Sequence, residues 1–333
     1  MARIIDIHAH GAQDAAIDAL SSGQCVAIPT ETVYGLAADA TNGVAVASIF
    51  EMKGRPRFNP LICHVDGLKM AETIGAFDPV SRKLAEHFWP GPLTLVVPRR
   101  VESDIHDLVT ADLDTVAIRA PDGPSRAVIT GFGKPLAAPS ANRSGRISPT
   151  TAAHVSEEFA DRDLLILDAG PARVGLESTI ARVDGNRIIL LRPGGVDADQ
   201  LAAISGLPVE QAQANGRIEA PGMLESHYAP DAGVVIDVTR CPQAAALLAF
   251  GPDDGNGNGN GKDRSGASEM RNLSPTADLA QAAANLYSML KELDSGKPSL
   301  IAVEPIPREG LGTAINDRLR RAAAPRDQEN KAR

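Results

Sequence analysis

The stretch that most constrains this chain is Ile28-Pro-Thr-Glu-Thr-Val-Tyr-Gly-Leu-Ala37, followed by Lys53-Gly-Arg55. The spacing predicts a strand over 24–28 that Pro29 stops. A polar turn follows, with Thr30, Glu31, Thr32 and Tyr34 inside five positions. Gly35 lets the backbone turn without a side-chain clash. An apolar-periodic helix is expected from there to Phe50, ending near Lys53. The turn and the two cations would then face one cleft at the carboxyl edge of a sheet, where α/β folds place ligands. Arginine forks and lysine point charges suit phosphate oxygens, so the pattern points to a phosphate-bearing ligand.

The rest of the chain alternates apolar runs with turn signals. Residues 3–7 read as a short strand or an apolar arm, and strands are expected at 61–65, 93–97, 115–119, 136–139, 164–168, 178–183 and 187–192. Helices are expected at 14–22, 79–88, 125–130, 150–159 and 199–205, the last closed by Gly206. Elements interleave irregularly, and two strands run almost consecutively at 178–192, which favours a mixed sheet over a parallel one. From 208 to 230 the apolar pattern disappears, and Pro221-Gly222 cannot sit inside a regular element. The division is therefore 1–207 for a first domain, 208–230 for a connector and 231–333 for a small α/β domain. In the last, strands are expected at 233–238 and 299–303, with 244–250 helical or extended. A helix from Ser274 carries Leu279, Ala283, Leu286, Leu290 and Leu293 on one face, and a final helix covers 314–324. Gly255-Asn-Gly-Asn-Gly-Asn-Gly261, with its flanks to Ser268, reads as a mobile surface loop.

Composition excludes some classes. Net charge is −9 and only 3% of residues are aromatic, which argues against a duplex-tracking or base-stacking surface. Three widely spaced cysteines make neither a disulfide framework nor a zinc ribbon and fit a reducing cytosol. No apolar run approaches a membrane span, and the N-terminus lacks a signal-peptide core. A cytoplasmic protein is expected. There is no Gly-x-x-x-x-Gly-Lys-Ser/Thr loop, since Gly131-Phe-Gly-Lys134 continues into Pro135. His8-x-His10 follows a short strand, but the other histidines do not supply further metal ligands at later strand ends, so no metal site is expected.

Four polar signals remain in the first domain. Lys53-x-Arg55 with Asn59 is either a solvated helix end or a phosphate site. Ser140-Ala-Asn142-Arg-Ser-Gly145, directly after a buried strand, is either a turn or a phosphate or ribose contact. Thr115 and Arg119 share one strand face. Glu177-Ser178-Thr179 and Arg192-Pro-Gly194 form the last. Taken alone, His64 in mid-strand reads as a satisfied core residue.

Pro29-Thr-Glu-Thr-Val-Tyr-Gly-Leu36, Lys53-Gly-Arg55, Asn59-Pro-Leu61, His64-Val65, Trp89-Pro-Gly-Pro-Leu-Thr94, Arg119-x-Pro121 and Ala138-Pro-Ser-Ala-Asn142 together resemble the YrdC family. The likeness continues through Glu177-Ser-Thr179, Leu191-Arg-Pro-Gly194, Pro221-Gly-Met223, His227-Tyr-Ala-Pro230, Gly310-Leu-Gly312 and Ala314-Ile-Asn-Asp-Arg-Leu-Arg320, so it spans the long, two-domain form. It implies a YrdC-like mixed twisted sheet with flanking helices, and a smaller Rossmann-like C-terminal α/β domain. It implies an L-threonylcarbamoyladenylate synthase, a nucleotidyltransferase that joins ATP, L-threonine and bicarbonate. The products are threonylcarbamoyl-AMP and pyrophosphate, for N6-threonylcarbamoyladenosine in tRNA that reads ANN codons.

By the same resemblance ATP lies against Arg55, Asn59, Thr115, Ser140, Asn142, Ser148, Arg192 and Tyr228. Lys53 and Arg55 act at the phosphates or the reacting carbamate. Threonine lies against Thr32, His64, Arg119, the backbone near Ala138, and Ser178. Mg²⁺ is expected with ATP, held by phosphate oxygens and water. Implied partners are the downstream tRNA threonylcarbamoyl-transfer proteins; direct RNA binding is compatible but not required. The connector is expected to cross the cleft and bring Tyr228 onto ATP. Two other classes stay open: an RNA-binding module, and carbamoyl transfer to a protein, since YrdC-like domains also occur in hydrogenase-maturation carbamoyltransferases. The acylphosphatase and zinc-finger segments of those proteins are absent here.

Overall fold

The computed structural model describes residues 2–212, 219–221, 227–253 and 262–325. The chain divides into two compact units. The first comprises 1–144 and 148–223, the second 145–147 and 224–333.

The first unit opens with β1 (Arg3–Asp6), α1 (Ala12–Ser21) and β2 (Val26–Ile28). Next come β3 (Gly35–Asp39), α2 (Gly43–Lys53), β4 (Ile62–His64) and α3 (Leu68–Ile74). Then follow α4 (Pro79–Phe88), β5 (Leu93–Pro98), α5 (Asp107–Thr110), β6 (Thr115–Arg119), α6 (Ser125–Phe132) and β7 (Leu136–Ala137). The unit continues through α7 (Ala152–Glu158), β8 (Leu165–Asp168), β9 (Thr179–Asp184), β10 (Arg187–Arg192), α8 (Ala198–Ser205) and β11 (Val209–Gln211). Its eleven strands form one mixed sheet in the order β1-β8-β2-β3-β7-β4-β6-β5-β9-β10-β11.

Three expectations need correction. Gly35-Leu-Ala-Ala-Asp39 is a strand, not the start of a helix, and pairs antiparallel with β2. All five residues are buried, and a short run covered on both faces has no period to betray it. Helix α2 starts only at Asn42, whose side chain accepts from the N–H groups of Val44 and Ala45. The connector is not irregular throughout, because β11 pairs parallel with β10 and extends the sheet by one edge strand. Helices α3 and α5, seven and four residues long, carried too few turns to announce themselves.

The sheet separates two apolar layers. Cys63, Val65, Leu95, Val97, Val116 and Ile118 point into the main core with α2 and α4. Ile62, Val96, Ala117, Ile180 and Leu191 point the other way and form a smaller cluster that includes Ala220 of the connector. Ala220 is fully buried there. Strand alternation therefore puts His64, Thr115 and Arg119 on the connector's side of the sheet, level with that cluster.

The second unit contains β12 (Gly233–Val235), β13 (Ala246–Ala249), β14 (Glu269–Asn272), α9 (Leu279–Ser295), β15 (Leu300–Val303) and α10 (Leu311–Ala323). Its strands make a parallel sheet in the order β12-β15-β13-β14. The expected stripe on α9 is buried at Ala283, Leu286, Leu290 and Leu293. Within 244–250 the strand is Ala246–Ala249, and β14 escaped the sequence pattern because only Met270 among its four residues is apolar. Most of the Gly/Asn loop, 254–261, lies outside the described residues. No helix among the described residues is long and apolar enough to cross a membrane.

Candidate active site

The turn after β2 is held by its own hydroxyls. Thr30 Oγ1 donates to the Val33 carbonyl at 2.6 Å and accepts from the N–H of Thr32 and of Val33, both at 3.2 Å. Tyr34 is pinned by its phenol, which donates to the Gly170 carbonyl at 2.8 Å. Burial pushes that phenol's pKa up, so it stays a donor.

Arg119 ends β6 and His64 ends β4, and the two are register partners on adjacent parallel strands. Arg119 is 3% exposed. Its Nη1 donates to Thr32 Oγ1 at 2.8 Å, its Nε to the Gly91 carbonyl at 3.2 Å, and its Nη2 lies 2.7 Å from Glu31 Oε2. Burial, and secondarily the Arg119 charge, push the His64 pKa from the usual 6.5 down to about 3. The imidazole is thus neutral, and its Nδ1 is buried with no hydrogen-bond partner among the described residues.

A second knot lies on β9. Ser178 Oγ and Thr94 Oγ1 share a hydrogen bond of 2.7 Å. Arg192 donates from Nη2 to Ser178 Oγ at 3.1 Å and to its carbonyl at 2.9 Å, while Nη1 reaches the connector's Pro221 carbonyl at 3.3 Å. Gly194 makes this possible: a Cβ there would sit 2.4 Å from the Glu177 carbonyl oxygen and the Thr179 nitrogen. Ser148 Oγ donates to Glu177 Oε1 at 2.5 Å beside it.

The third group follows α2. Gly54 takes the left-handed conformation at φ 58°, which ends the helix and returns Arg55 toward β4. The Arg55 guanidinium donates to the Asn59 carbonyl at 3.1 Å and the Pro60 carbonyl at 2.8 Å. Asn59 is 1% exposed, yet neither atom of its side-chain amide has a partner among the described residues. Buried amides are seldom left so without a ligand to complete them. Lys53, 3% exposed, donates from Nζ to the main-chain carbonyls of Ser140, at 2.5 Å, and of Asn142. Burial, reinforced by the neighbouring Arg55 charge, holds the Lys53 pKa well below that of a free lysine.

Register relates these groups. Ile62 pairs with Ala117 and His64 with Arg119, so Thr115 falls level with Pro60, the acceptor of Arg55. Thr115 and Arg119 are four residues apart, about 13 Å along the strand, and do not converge. The site residues are therefore spread along one sheet face, with His64 and Arg119 at the carboxyl ends of their strands. One end holds Arg55, Asn59 and Thr115; the other holds Thr32, His64 and Arg119. Ala138 sits level with Ile62, between the two ends, its N–H donating to the Ile62 carbonyl at 3.0 Å. Ser140 bridges to Gly35 and so lies behind the polar turn.

Tyr228 lies in the second unit, stacked on Tyr287 at 5.7 Å with the Arg318 guanidinium 5.1 Å from its ring. Thr94 and the pairing of Glu31 with Arg119 escaped the sequence reading. A hydroxyl inside the apolar run Leu93-Thr-Leu-Val-Val was the signal for the first; an acid between two threonines gave none for its partner.

Arginines, a lysine and neutral hydrogen-bonding groups line the site, while the buried thiols of Cys25 and Cys63 are pushed up to about 12 by burial and are inert. Such a lining positions and neutralises charge; it does not build a covalent nucleophile.

A family model for Sua5/YciO/YrdC, described as telomere recombination, matches residues 18–194, more than half of the chain. The chain belongs to this family. A second model, threonylcarbamoyl-AMP synthase C-terminal domain, matches 196–324. The chain is 39% identical over 325 residues to the threonylcarbamoyl-AMP synthase of Bacillus subtilis, covering 95% of this chain and 93% of that one. It is 38% identical over 315 residues to the synthase of the same name from Pyrococcus abyssi, covering 91% and 92%. A crystal structure of P. abyssi Sua5 complexed with L-threonine superposes with a TM-score of 0.84 at 33% identity, covering 97% of each chain. The protein is thus an enzyme of the two-domain Sua5 form.

Proposed function

We propose that the protein is an L-threonylcarbamoyladenylate synthase: ATP, L-threonine and bicarbonate become threonylcarbamoyl-AMP, pyrophosphate and water. The observation that carries this is the pairing of two buried sets along one sheet face. The Thr32, His64 and Arg119 end has the groups an amino acid with a hydroxyl needs. The Arg55, Asn59 and Thr115 end has a fixed guanidinium and the Asn59 amide, neither atom of which has a partner among the described residues. The relatives named threonylcarbamoyl-AMP synthase support the reaction, and the threonine complex of P. abyssi Sua5 supports the amino acid.

The chemistry asks for position more than for a nucleophile. The threonine ammonium gives up a proton, the amine attacks the bicarbonate carbon as water leaves, and the carbamate oxygen then attacks the α-phosphate as pyrophosphate leaves, which makes the enzyme a nucleotidyltransferase. Bringing three reactants together supplies much of the rate. Arg119 takes the threonine carboxylate. Neutral His64 meets the threonine hydroxyl through Nδ1, and Ser178, oriented by Thr94 and Arg192, completes that end. Arg55, Asn59, Thr115, Ser140, Ser148, Arg192 and Tyr228 serve ATP. Lys53 acts with Asn142 on the loop facing the phosphates. The described residues hold no group of three or more His, Cys, Asp or Glu placed for a metal. Mg²⁺ accompanying ATP would be held by phosphate oxygens and water, and would offset phosphate charge.

We place the protein in the cytosol, feeding proteins that transfer the threonylcarbamoyl group to tRNA. The connector acts as a cover: Ala220 and Pro221 already pack on the site's face. Domain limits of 1–207, 208–230 and 231–333 remain our division by role, although β11 belongs to the first sheet. The test is pyrophosphate release from ATP with threonine and bicarbonate each omitted in turn. Release that needs both supports the reaction; release indifferent to either refutes it.

A further inference from the structure

Glu31 is 5% exposed and sits between Thr30 and Thr32 in the turn after β2. Its Oε2 is committed: Arg119 Nη2 lies 2.7 Å away and the Asp122 N–H donates to it at 3.1 Å. Its Oε1 is buried and has no hydrogen-bond partner among the described residues. A buried carboxylate oxygen without a donor costs free energy, so it is retained where a ligand supplies the donor.

The surroundings say which donor. A guanidinium carries five N–H groups. Gly91, Thr32 and Glu31 face one each on Nε, Nη1 and Nη2 of Arg119, which leaves donors for a further carboxylate. His64, the register partner of Arg119, has an Nδ1 with no partner among the described residues. Three unfilled valences therefore surround one arginine: guanidinium N–H, imidazole nitrogen and carboxylate oxygen. An amino acid with a side-chain hydroxyl offers three complementary groups: carboxylate, hydroxyl and ammonium. Charge also balances. The Arg119–Glu31 pair is neutral before binding, and the zwitterion that joins it is neutral too, so no buried charge is left unpaired.

We propose that Glu31 is the ammonium receptor of the threonine subsite, its Oε1 accepting the substrate's α-amino group while Arg119 takes the carboxylate. This rests on threonine being the substrate, and it adds a specificity-determining residue to that site. Glu31 then does two things at once. It fixes the guanidinium plane, and it holds the ammonium that must release a proton to solvent before the amine attacks.

The two roles separate with a ligand that lacks the amine. (R)-3-Hydroxybutanoate keeps the carboxylate and hydroxyl of L-threonine and has no α-amino group. Calorimetric titration of the full chain with each ligand is the experiment, on the unaltered protein, Glu31→Gln and Glu31→Asp. Glu31→Gln is expected to weaken threonine by roughly 10- to 100-fold, the span of one charge-assisted hydrogen bond, and the hydroxy acid by less than about 3-fold. Glu31→Asp keeps the charge on a shorter stem and should recover part of the threonine affinity. If Glu31→Gln does not fold, the same comparison is read from Glu31→Asp: threonine weakened, the hydroxy acid unchanged. Equal weakening of both ligands would overturn the proposal, because Glu31 would then act only through Arg119. Unchanged threonine affinity would overturn it as well. Failure of the unaltered protein to bind threonine would instead overturn the functional reading on which it rests.

Discussion

Replacing Lys53 by methionine isolates one buried contact with measurable consequences. The methionine stem fills the space of the lysine methylenes but carries no donor. Nζ now serves the carbonyls of Ser140 and Asn142, and the residue is 3% exposed. Losing it deprives two main-chain acceptors of a charged donor, at about 1–3 kcal/mol each. Part of that is returned, because a buried ammonium next to Arg55 no longer has to be desolvated, and such replacements offset one another. The net expectation is a destabilisation of about 1–3 kcal/mol, read as a lower urea midpoint at unchanged m. The functional loss should be larger. The loop that carries Ser140 and Asn142 loses its anchor, and pyrophosphate release should fall about 100-fold, the scale of one preorganised contact at a transferring group. Arg55→Ala should match that rate loss. A Lys53→Met protein with normal stability and normal turnover would show that the amine does not organise this loop.

Other consequences are smaller in scope. Gly194→Ala should destabilise the protein by about 1–3 kcal/mol by overpacking against 177–179 and should raise the KM for threonine through Ser178. Valine should be turned over roughly 10⁴-fold less efficiently than threonine, since it leaves His64 Nδ1 unpaired; equal kcat/KM values would show that His64 does not face the substrate. A chain ending at Leu207 should fold but bind ATP weakly, having lost Ala220 and the Pro221 carbonyl that Arg192 holds; calorimetry showing unchanged affinity would make the connector a tether. The His64 pKa is lowered on folding, so between 6.5 and about 3 the unfolded chain binds the extra proton and stability falls as pH falls. His64→Gln should flatten that part of the pH–stability curve; an unchanged slope there would put the imidazole in contact with water.

The sheet was legible wherever apolar runs met turn residues, as at Leu93–Val97, Thr115–Arg119 and the 178–192 hairpin. It was not legible at Gly35–Asp39, where small apolar residues buried on both sides satisfy a helix and a strand equally. It was not legible at Val209–Gln211 either, because an exposed edge strand needs only one partner and no apolar face. The site was visible as residue types but not as geometry. Thr115 and Arg119 share a face in the sequence pattern, yet only the β4–β6 register shows that they serve opposite ends of the site. Lys53 reads as a phosphate cation in sequence, while in the fold its Nζ donates to two carbonyls. Partners brought together from distant positions, such as Glu31 with Arg119 or Thr94 with Ser178, leave no local trace.

The central claim is that one carbon from bicarbonate is joined to threonine and then to AMP within this site. The most direct measurement is carbon NMR and mass spectrometry of a reaction containing ¹³C-bicarbonate, L-threonine, ATP and Mg²⁺. The account predicts a labelled carbamoyl carbon in a product that contains both threonine and AMP, formed one for one with pyrophosphate. Pyrophosphate released while the label stays in bicarbonate, or an AMP–threonine product without the labelled carbon, would contradict it.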